Sequence, residues 1–230
     1  MSYRVAILGS RGIGFFHTRI FQQLGNEICG VLGTSPVTVK KAVESLSGTY
    51  GILPKTYINL DQLMINEDPD IVSICTPPEY HLDHMKTVLD KGKAVFCEKP
   101  IFWHKSINYK EIDYGIKTLR EYSNPILHVN TSNASFISYI RDRIDSAEKI
   151  ENFNLEFFTN GSCSGYEIAV DLLPHGLSMI LELFGMRSIT HFSDFAFKKS
   201  YSCKFNFGNC IVNFNFSQGK NINKRFAFSI

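Results

Sequence analysis

Lys93-Ala94-Val95-Phe96-Cys97-Glu98-Lys99-Pro100 is a short apolar run bounded by Gly92 and Pro100. A run of that length between a glycine and a proline reads as a buried strand, and it delivers a Glu-Lys pair at its C-terminal end, where open α/β sheets bind ligands. Pro100 restrains the chain directly after Lys99. Lys99 is therefore the leading candidate for a functional residue, with a solvated surface lysine as the alternative on this stretch alone.

Outward from this strand the same pattern repeats. Residues 70–75 read as a strand and 79–91 as a helix stopped by Gly92. Earlier in the chain, residues 3–8 read as a strand, 9–14 as a glycine-rich turn, 13–24 as a helix and 27–32 as a second strand. A helical stretch runs from Pro36 to about Ser47, 55–58 forms a brief strand, and Asn59 caps a helix carrying Leu60, Leu63 and Met64. A helix over about 104–122 and a strand at 126–129 complete the series. Strands alternating with helices at this rhythm predict a parallel, doubly wound sheet.

After Asn130 the pattern changes. A helix near 136–144, a strand at 152–159 and a long helix over 166–184, ended by Gly185, precede a region that is almost all β. Period-2 alternation is plain in Phe205-Asn206-Phe207 and in Val212-Asn213-Phe214-Asn215-Phe216. Nine of the 19 phenylalanines lie between residues 187 and 230, which reads as one apolar face of an antiparallel sheet rather than a platform for stacking bases. The expected fold class is α/β, with a doubly wound parallel sheet over 1–124 and an α+β domain with a mostly antiparallel open sheet over 125–230.

Composition bounds the function. The 230 residues are 44% hydrophobic, enough for one large core or two small ones. The 24 Lys+Arg and 22 Asp+Glu divide evenly between the two halves, so neither half is a basic arm and no nucleic-acid partner is expected. Met1 leads straight into an apolar strand without a signal-peptide pattern, and no window approaches the roughly 18 apolar residues of a membrane span. Six scattered cysteines without a Cys-x-x-Cys pair predict free thiols in a reducing cytoplasm rather than disulfides or a zinc site. Asn-x-Ser sequons at Asn130, Asn133, Asn160 and Asn215 are then chance matches.

Gly9-Ser10-Arg11-Gly12-Ile13-Gly14 follows a strand and opens a helix, the context in which backbone N–H groups and a helix N-terminus hold a pyrophosphate. Without that context it would be a plain tight turn. Arg11 stands where the usual pattern has its second glycine, so it either displaces a dinucleotide slightly or touches phosphate itself. A short-chain dehydrogenase reading fails because no tyrosine has a lysine four residues on. At the end of the second strand, Val31-Leu32-Gly33-Thr34-Ser35 carries no carboxylate for the ribose hydroxyls. Thr34 and Ser35, with Arg11, Lys40 and Lys41 as possible cations, leave room for a 2′-phosphate, which favours NADP over NAD.

Thr76-Pro77-Pro78-Glu79-Tyr80-His81 forms a rigid strand-to-helix turn at the expected crevice. His81 and His84 share a helix face, but without further ligands at suitable spacing they read as surface or packing residues, and no metal is expected.

Together these residues resemble the Gfo/Idh/MocA oxidoreductases, the glucose-fructose oxidoreductase and inositol dehydrogenase family. The resemblance rests on the glycine turn followed by His17, on Thr76-Pro77-Pro78-x-x-His81, on Glu98-Lys99-Pro100 and on Asp171-Leu172-Leu173-Pro174-His175. It implies a Rossmann domain followed by a C-terminal α/β domain, often used for oligomerisation. It also implies hydride transfer between a nicotinamide and a sugar, polyol or nucleotide sugar, with nucleotide-linked amino sugars of surface polysaccharide pathways suggested by Asp-Leu-x-Pro-His-x-Leu-Ser. By the same resemblance Lys99 contacts cofactor and reacting oxygen, Asp171 binds substrate and orients its neighbour, and His175 is the general acid/base. The implied cofactor set is Gly9, Arg11, Gly12, Ile13, Gly14, Thr34, Ser35, Thr76, Pro77, His81, Glu98 and Lys99. Asp171 and His175 at i and i+4 share one face if the helix is continuous; otherwise Pro174 starts a new segment.

Three departures qualify the match. Arg11 replaces a glycine. Ser178 stands where many members have a second Asp, and the Arg-Phe common at the start of the second domain is absent from Asn130-Thr131-Ser132-Asn133-Ala134. The family usually runs well beyond this length, so a chain stopping at Ile230 is expected to leave a sheet edge for a partner chain, as a dimer or tetramer. A catalytically lapsed nucleotide- or sugar-binding sensor or subunit is the competing expectation.

Overall fold

The computed structural model describes residues 2–124, 126–144 and 146–230, and the chain divides into two compact units, Met1–Asn130 and Thr131–Ile230. The first unit runs β1 (Arg4–Leu8), α1 (Ile13–Gln23), β2 (Glu27–Leu32), α2 (Pro36–Tyr50), β3 (Lys55–Tyr57), α3 (Leu60–Glu67), β4 (Ile71–Ile74), α4 (His81–Asp90), β5 (Ala94–Glu98), α5 (Tyr109–Arg120) and β6 (Leu127–Asn130). Its six strands lie in the order β3-β2-β1-β4-β5-β6, all parallel. The chain leaves β1 in one direction through β2 and β3 and returns on its other side with β4. That reversal opens a crevice at the C-terminal ends of β1 and β4.

β1 shows why the sheet is buried on both faces. Ala6 and Leu8 pack into one apolar layer with Met85 and Val88, while Val5 and Ile7 pack into the other with Val39 and Leu46. Local signals fix the helix starts. Ser35 and Thr38 form a reciprocal capping box at α2, Asn59 accepts from the Gln62 N–H at α3, and Asn108 with Glu111 caps α5. This last cap corrects the helix expected from about residue 104, which begins at Tyr109. The helix expected from Glu79 begins at His81, because the two prolines lead into a single 3₁₀ turn over Pro78–Tyr80. β6 pairs with β5, so it belongs to the first sheet and the division falls after Asn130 rather than after residue 124.

The second unit runs α6 (Ala134–Ile140), β7 (Asn152–Thr159), α7 (Tyr166–Phe184), β8 (Ile189–Phe197), β9 (Ser200–Phe207), β10 (Cys210–Gln218) and β11 (Arg225–Ser229). The helix expected to reach Ile144 ends at Ile140 and gives way to a 3₁₀ turn over Arg141–Arg143. The five strands lie in the order β11-β7-β10-β9-β8, antiparallel throughout except for the parallel pair β7 and β10. Phe153, Leu155, Phe205, Phe214 and Phe216 share one core with Leu172, Met179 and Ile180 of α7. Each such side chain contributes about 1.5–3 kcal/mol by leaving water. The phenylalanine stripe is not a single face, however. Phe195 and Phe197 pair with Ser202 and Ser200, opposite in phase to buried Tyr201 and Cys203, and stand exposed on the edge strand β8.

All six cysteines are free thiols. Among the described residues no helix is long and apolar enough to cross a membrane, and no group of three or more His, Cys, Asp or Glu is placed to hold a metal ion.

Candidate active site

The glycine turn folds tightly on itself at the mouth of the crevice. A Cβ on Gly14 would lie 2.0 Å from the Gly9 carbonyl oxygen, so only glycine lets α1 begin so close to β1. Gly12, the N-cap of α1, sits at φ 56° and ψ −120°, and no described atom lies within 4 Å of where its Cβ would stand. Conformation, not space, demands glycine there. Among the described residues no side chain caps α1 and its first turn carries no acidic residue, which leaves its amides and positive dipole end to an anion.

A cavity of about 560 Å³ opens at this turn, within the size range of ligand pockets. Gly9, Ser10 and Arg11 form one wall; Leu32, Gly33, Thr34 and Thr38 form another; Thr76, Pro77, Glu79, Tyr80 and His84 form the third. A larger cleft of about 870 Å³ lies alongside α2 and β3 and shares Val39 and Ile58 with it, but it takes in no residue of the glycine turn or of the Thr76-Pro77 turn. Lys40 lines that outer cleft rather than the cavity.

Of the residues expected to bind cofactor, Gly9, Arg11, Thr34, Thr76 and Pro77 line the cavity, while Gly12, Ile13 and Gly14 build the turn and the start of the helix. The Ser35 hydroxyl is committed to capping α2. His81 and Glu98, also expected to bind cofactor, are not among the residues lining the cavity and lie behind its wall. His81 is almost wholly buried, with Nε2 2.7 Å from the Thr76 carbonyl oxygen and Nδ1 2.9 Å from that of Pro100. Both partners are carbonyl acceptors, and the tautomer of the ring sets which nitrogen donates.

Glu98 turns toward α1. Its Oε1 is 2.9 Å from His17 Nε2 and 2.6 Å from Asn130 Nδ2. Burial opposes its ionisation, yet the hydrogen bonds from His17 and Asn130, the His17 charge and the Lys99 amide outweigh burial and hold its pKa below the ordinary value. The other His17 nitrogen, Nδ1, lies 2.9 Å from Ser73 Oγ and 3.2 Å from Cys75 Sγ. Burial pushes the Cys75 thiol up to about 12, so it is no nucleophile at neutral pH. These buried groups fix two segments, Thr76-Pro77 and Glu98-Lys99-Pro100, and half-buried Lys99 follows directly from the second. The Lys99–Pro100 peptide is cis.

His84 lines the cavity, a place the spacing of the histidines did not reveal. Its Nδ1 is 3.1 Å from Thr76 Oγ1 and its ring stacks on Tyr80 at 6.1 Å. Burial, then the nearby His81 charge, lowers its pKa and favours the neutral ring.

In the second unit α7 is continuous through Pro174, so Asp171 and His175 do share one helix face. Asp171 accepts a hydrogen bond from Nε2 of Gln218, whose Oε1 accepts the Cys163 N–H at 3.1 Å. His175 packs edge-on against Phe157 with ring centroids 5.4 Å apart, and its carbonyl accepts the Ser178 hydroxyl at 2.9 Å. Ser178 therefore closes a local helix bond. Gln218 had a legible signal: it occupies the inward phase set by Val212, Phe214 and Phe216, where an amide is out of place.

Residues 3–131 match the Gfo/Idh/MocA family, described as an oxidoreductase family with an NAD-binding Rossmann fold. This chain belongs to that family. Over 101 residues it is 34% identical to an inositol 2-dehydrogenase of Rhizobium meliloti, a match covering 44% of this chain and 29% of that protein. The matched stretch is thus less than a third of that relative's length. The structure of a myo-inositol 2-dehydrogenase from Lactobacillus plantarum aligns over 99% of this chain and 73% of that one, with a TM-score of 0.80 at 16% identity. The WlbA dehydrogenase from Chromobacterium violaceum, solved with NADH and UDP-GlcNAcA, aligns over 96% and 68%, with a TM-score of 0.74 at 15% identity. Both likenesses show the fold, across both units of this Gfo/Idh/MocA chain.

The donors present suit a dinucleotide. In this Gfo/Idh/MocA chain the uncapped α1 amides and Arg11 suit a negatively charged group, and the Thr76-Pro77 turn bounds the cavity on the side of β4. Chemically, the first unit offers an anion cradle and a lysine at a strand end; the second unit, taken by itself, carries a carboxylate and an imidazole on one helix face.

Proposed function

We propose that this chain is an NAD(P)-dependent oxidoreductase acting on a CH–OH group of a sugar, with a nucleotide-linked amino sugar of surface polysaccharide biosynthesis as the favoured substrate. The observation that carries this reading is the cavity built on the Gly9–Gly14 turn and the Thr76-Pro77 turn at the point where the strand order reverses. When bound there, the nicotinamide cofactor supplies the hydride acceptor or donor.

The chain's own residues do the rest. Gly9, Arg11 and the first amides of α1 hold the pyrophosphate, and Thr76 and Pro77 bound the neighbouring ribose. The lining residues from the β2–α2 side are Leu32, Gly33, Thr34, Thr38, Val39 and Ala42; none is acidic, which supports NADP over NAD. Lys99 stabilises negative charge on the reacting oxygen. Asp171 binds substrate and orients His175, whose imidazole takes the hydroxyl proton during oxidation and returns it during reduction. We assign the chain to the cytoplasm as a homo-oligomer, dimer or tetramer, joined through the second sheet. Exposed Phe195 and Phe197 on edge strand β8 support that assembly.

Titration of the purified protein with NADPH and NADH, followed by nicotinamide fluorescence, tests the reading. Binding of at least one, NADPH more tightly, is expected. Binding of neither overturns the oxidoreductase and leaves the sensor or subunit.

A further inference from the structure

We propose that Gln218 is the positioning residue of Asp171, and that Gly161 is glycine because the Gln218 amide occupies the space of its side chain. The inference rests on the role proposed for Asp171. Gln218 is the last residue of β10, only 2% exposed, on the face occupied by Val212, Phe214 and Phe216. An amide on such a face is destabilising unless it is hydrogen-bonded. This one is bonded at both ends, to the Cys163 N–H and to the Asp171 carboxylate.

The two bonds also set its direction. Only the amide oxygen can accept from a backbone N–H, and only the amide nitrogen can donate to a carboxylate, so a flipped amide would lose both. Gln218 is thus a directional link that begins at the loop over residues 160–165 and ends on one oxygen of Asp171. An aliphatic side chain would fill the same face and could hold neither end. Gly161 completes the device: its Cβ would fall 2.1 Å from Gln218 Oε1 and 2.2 Å from its Cδ. The loop backbone therefore lies directly on the amide. Gly161 is required by contact, since its φ lies outside the left-handed region.

Three variants separate positioning from mere packing. Gln218→Glu keeps an acceptor for the Cys163 N–H but replaces the donor to Asp171 with a second carboxylate oxygen. Gln218→Met loses both bonds at similar length, and Gly161→Ala pushes the amide aside without altering either partner. With NADP or NAD and the probes myo-inositol and UDP-GlcNAcA, all three are expected to lower kcat at least about tenfold at neutral pH while the Kd for NADPH stays within about twofold. On acidification the Gln218→Glu rate, taken relative to the native chain at the same pH, should recover, because the protonated carboxyl donates again; the Gln218→Met rate should not. A Gln218→Glu protein as active as the native chain, or equal behaviour of the two variants with pH, overturns the proposal. Unchanged turnover in Asp171→Asn instead overturns the role of Asp171, independently of Gln218. If neither probe turns over, NMR of the full chain decides: the Gln218 side-chain amide signals, identified by their loss in Gln218→Met, should move in Asp171→Asn. Signals that stay in place overturn the contact.

Discussion

His17 Nε2 and Glu98 Oε1 lie 2.9 Å apart, joining the first helix of the chain to the last residue of β5. The pair is nearly buried and Glu98 directly precedes Lys99 in the chain, so it holds the strand end in place without lining the cavity.

Replacing Glu98 by Gln should therefore cost about 1.5–3 kcal/mol at pH 7, the range of hydrogen bonds to a charged group. Because folding depresses the Glu98 pKa, its stabilisation is complete above the unfolded value and is lost as pH falls through the folded one, below 4.5. Urea unfolding at a series of pH values checks both parts. The native and Glu98→Gln curves should converge in acid; a constant gap from pH 7 to pH 3 would contradict the assignment.

His81 offers a way to tell a clamp from a ligand contact. His81→Leu removes the ring that links the Thr76 and Pro100 carbonyls, so stability should drop by about 1–3 kcal/mol for the carbonyl that loses its donor. NADPH affinity should weaken with it, since Thr76 lines the cavity. Weaker binding at unchanged stability would mean that the ring itself meets the nucleotide.

The glycines of the turn should fail differently. Gly14→Ala drives a methyl into the Gly9 carbonyl, whereas Gly12→Ala meets no described atom and pays only its backbone strain of about 1–3 kcal/mol. Calorimetry should find Gly14→Ala the less stable of the two. A larger loss in Gly12→Ala would mean that the turn relaxes around position 14.

Lys99→Met should abolish turnover while leaving the fold intact, and His175→Asn should slow the proton-transfer step by about a hundredfold or more. Stopped-flow absorbance of the reduced nicotinamide reads both. Full activity in either variant moves that role to another group.

Much of the fold was legible because it is written in local periodicity. β2, β7 and α7 begin and end where the apolar run, the alternation and the helical repeat place them, and Ser35, Asn59 and Asn108 announce their helices by capping. Long-range pairing left no such mark. Nothing about Glu98 as a carboxylate names His17 as its partner, and a Glu-Lys pair at a strand end looks equally outward until α1 is laid across it. His84 reads as one more helix-surface histidine until the Thr76 hydroxyl is found beside it. The parallel pairing of β7 with β10 was also hidden, since alternation is the same for either strand direction.

That parallel pair has a consequence for how the chain is made. β7 is flanked by β10 and β11, both later in the sequence, whereas β9 and β10 can close as a hairpin through Phe207 and Cys210. Hairpins form in about 1–10 μs, but Asn152 meets Ile211 only after α7, β8 and β9 lie between them. On a ribosome, Phe153, Leu155 and Phe157 therefore emerge long before the strands that shelter them. β7 is the segment through which nascent copies of this chain would cling to one another, and the place where a chaperone would do most good.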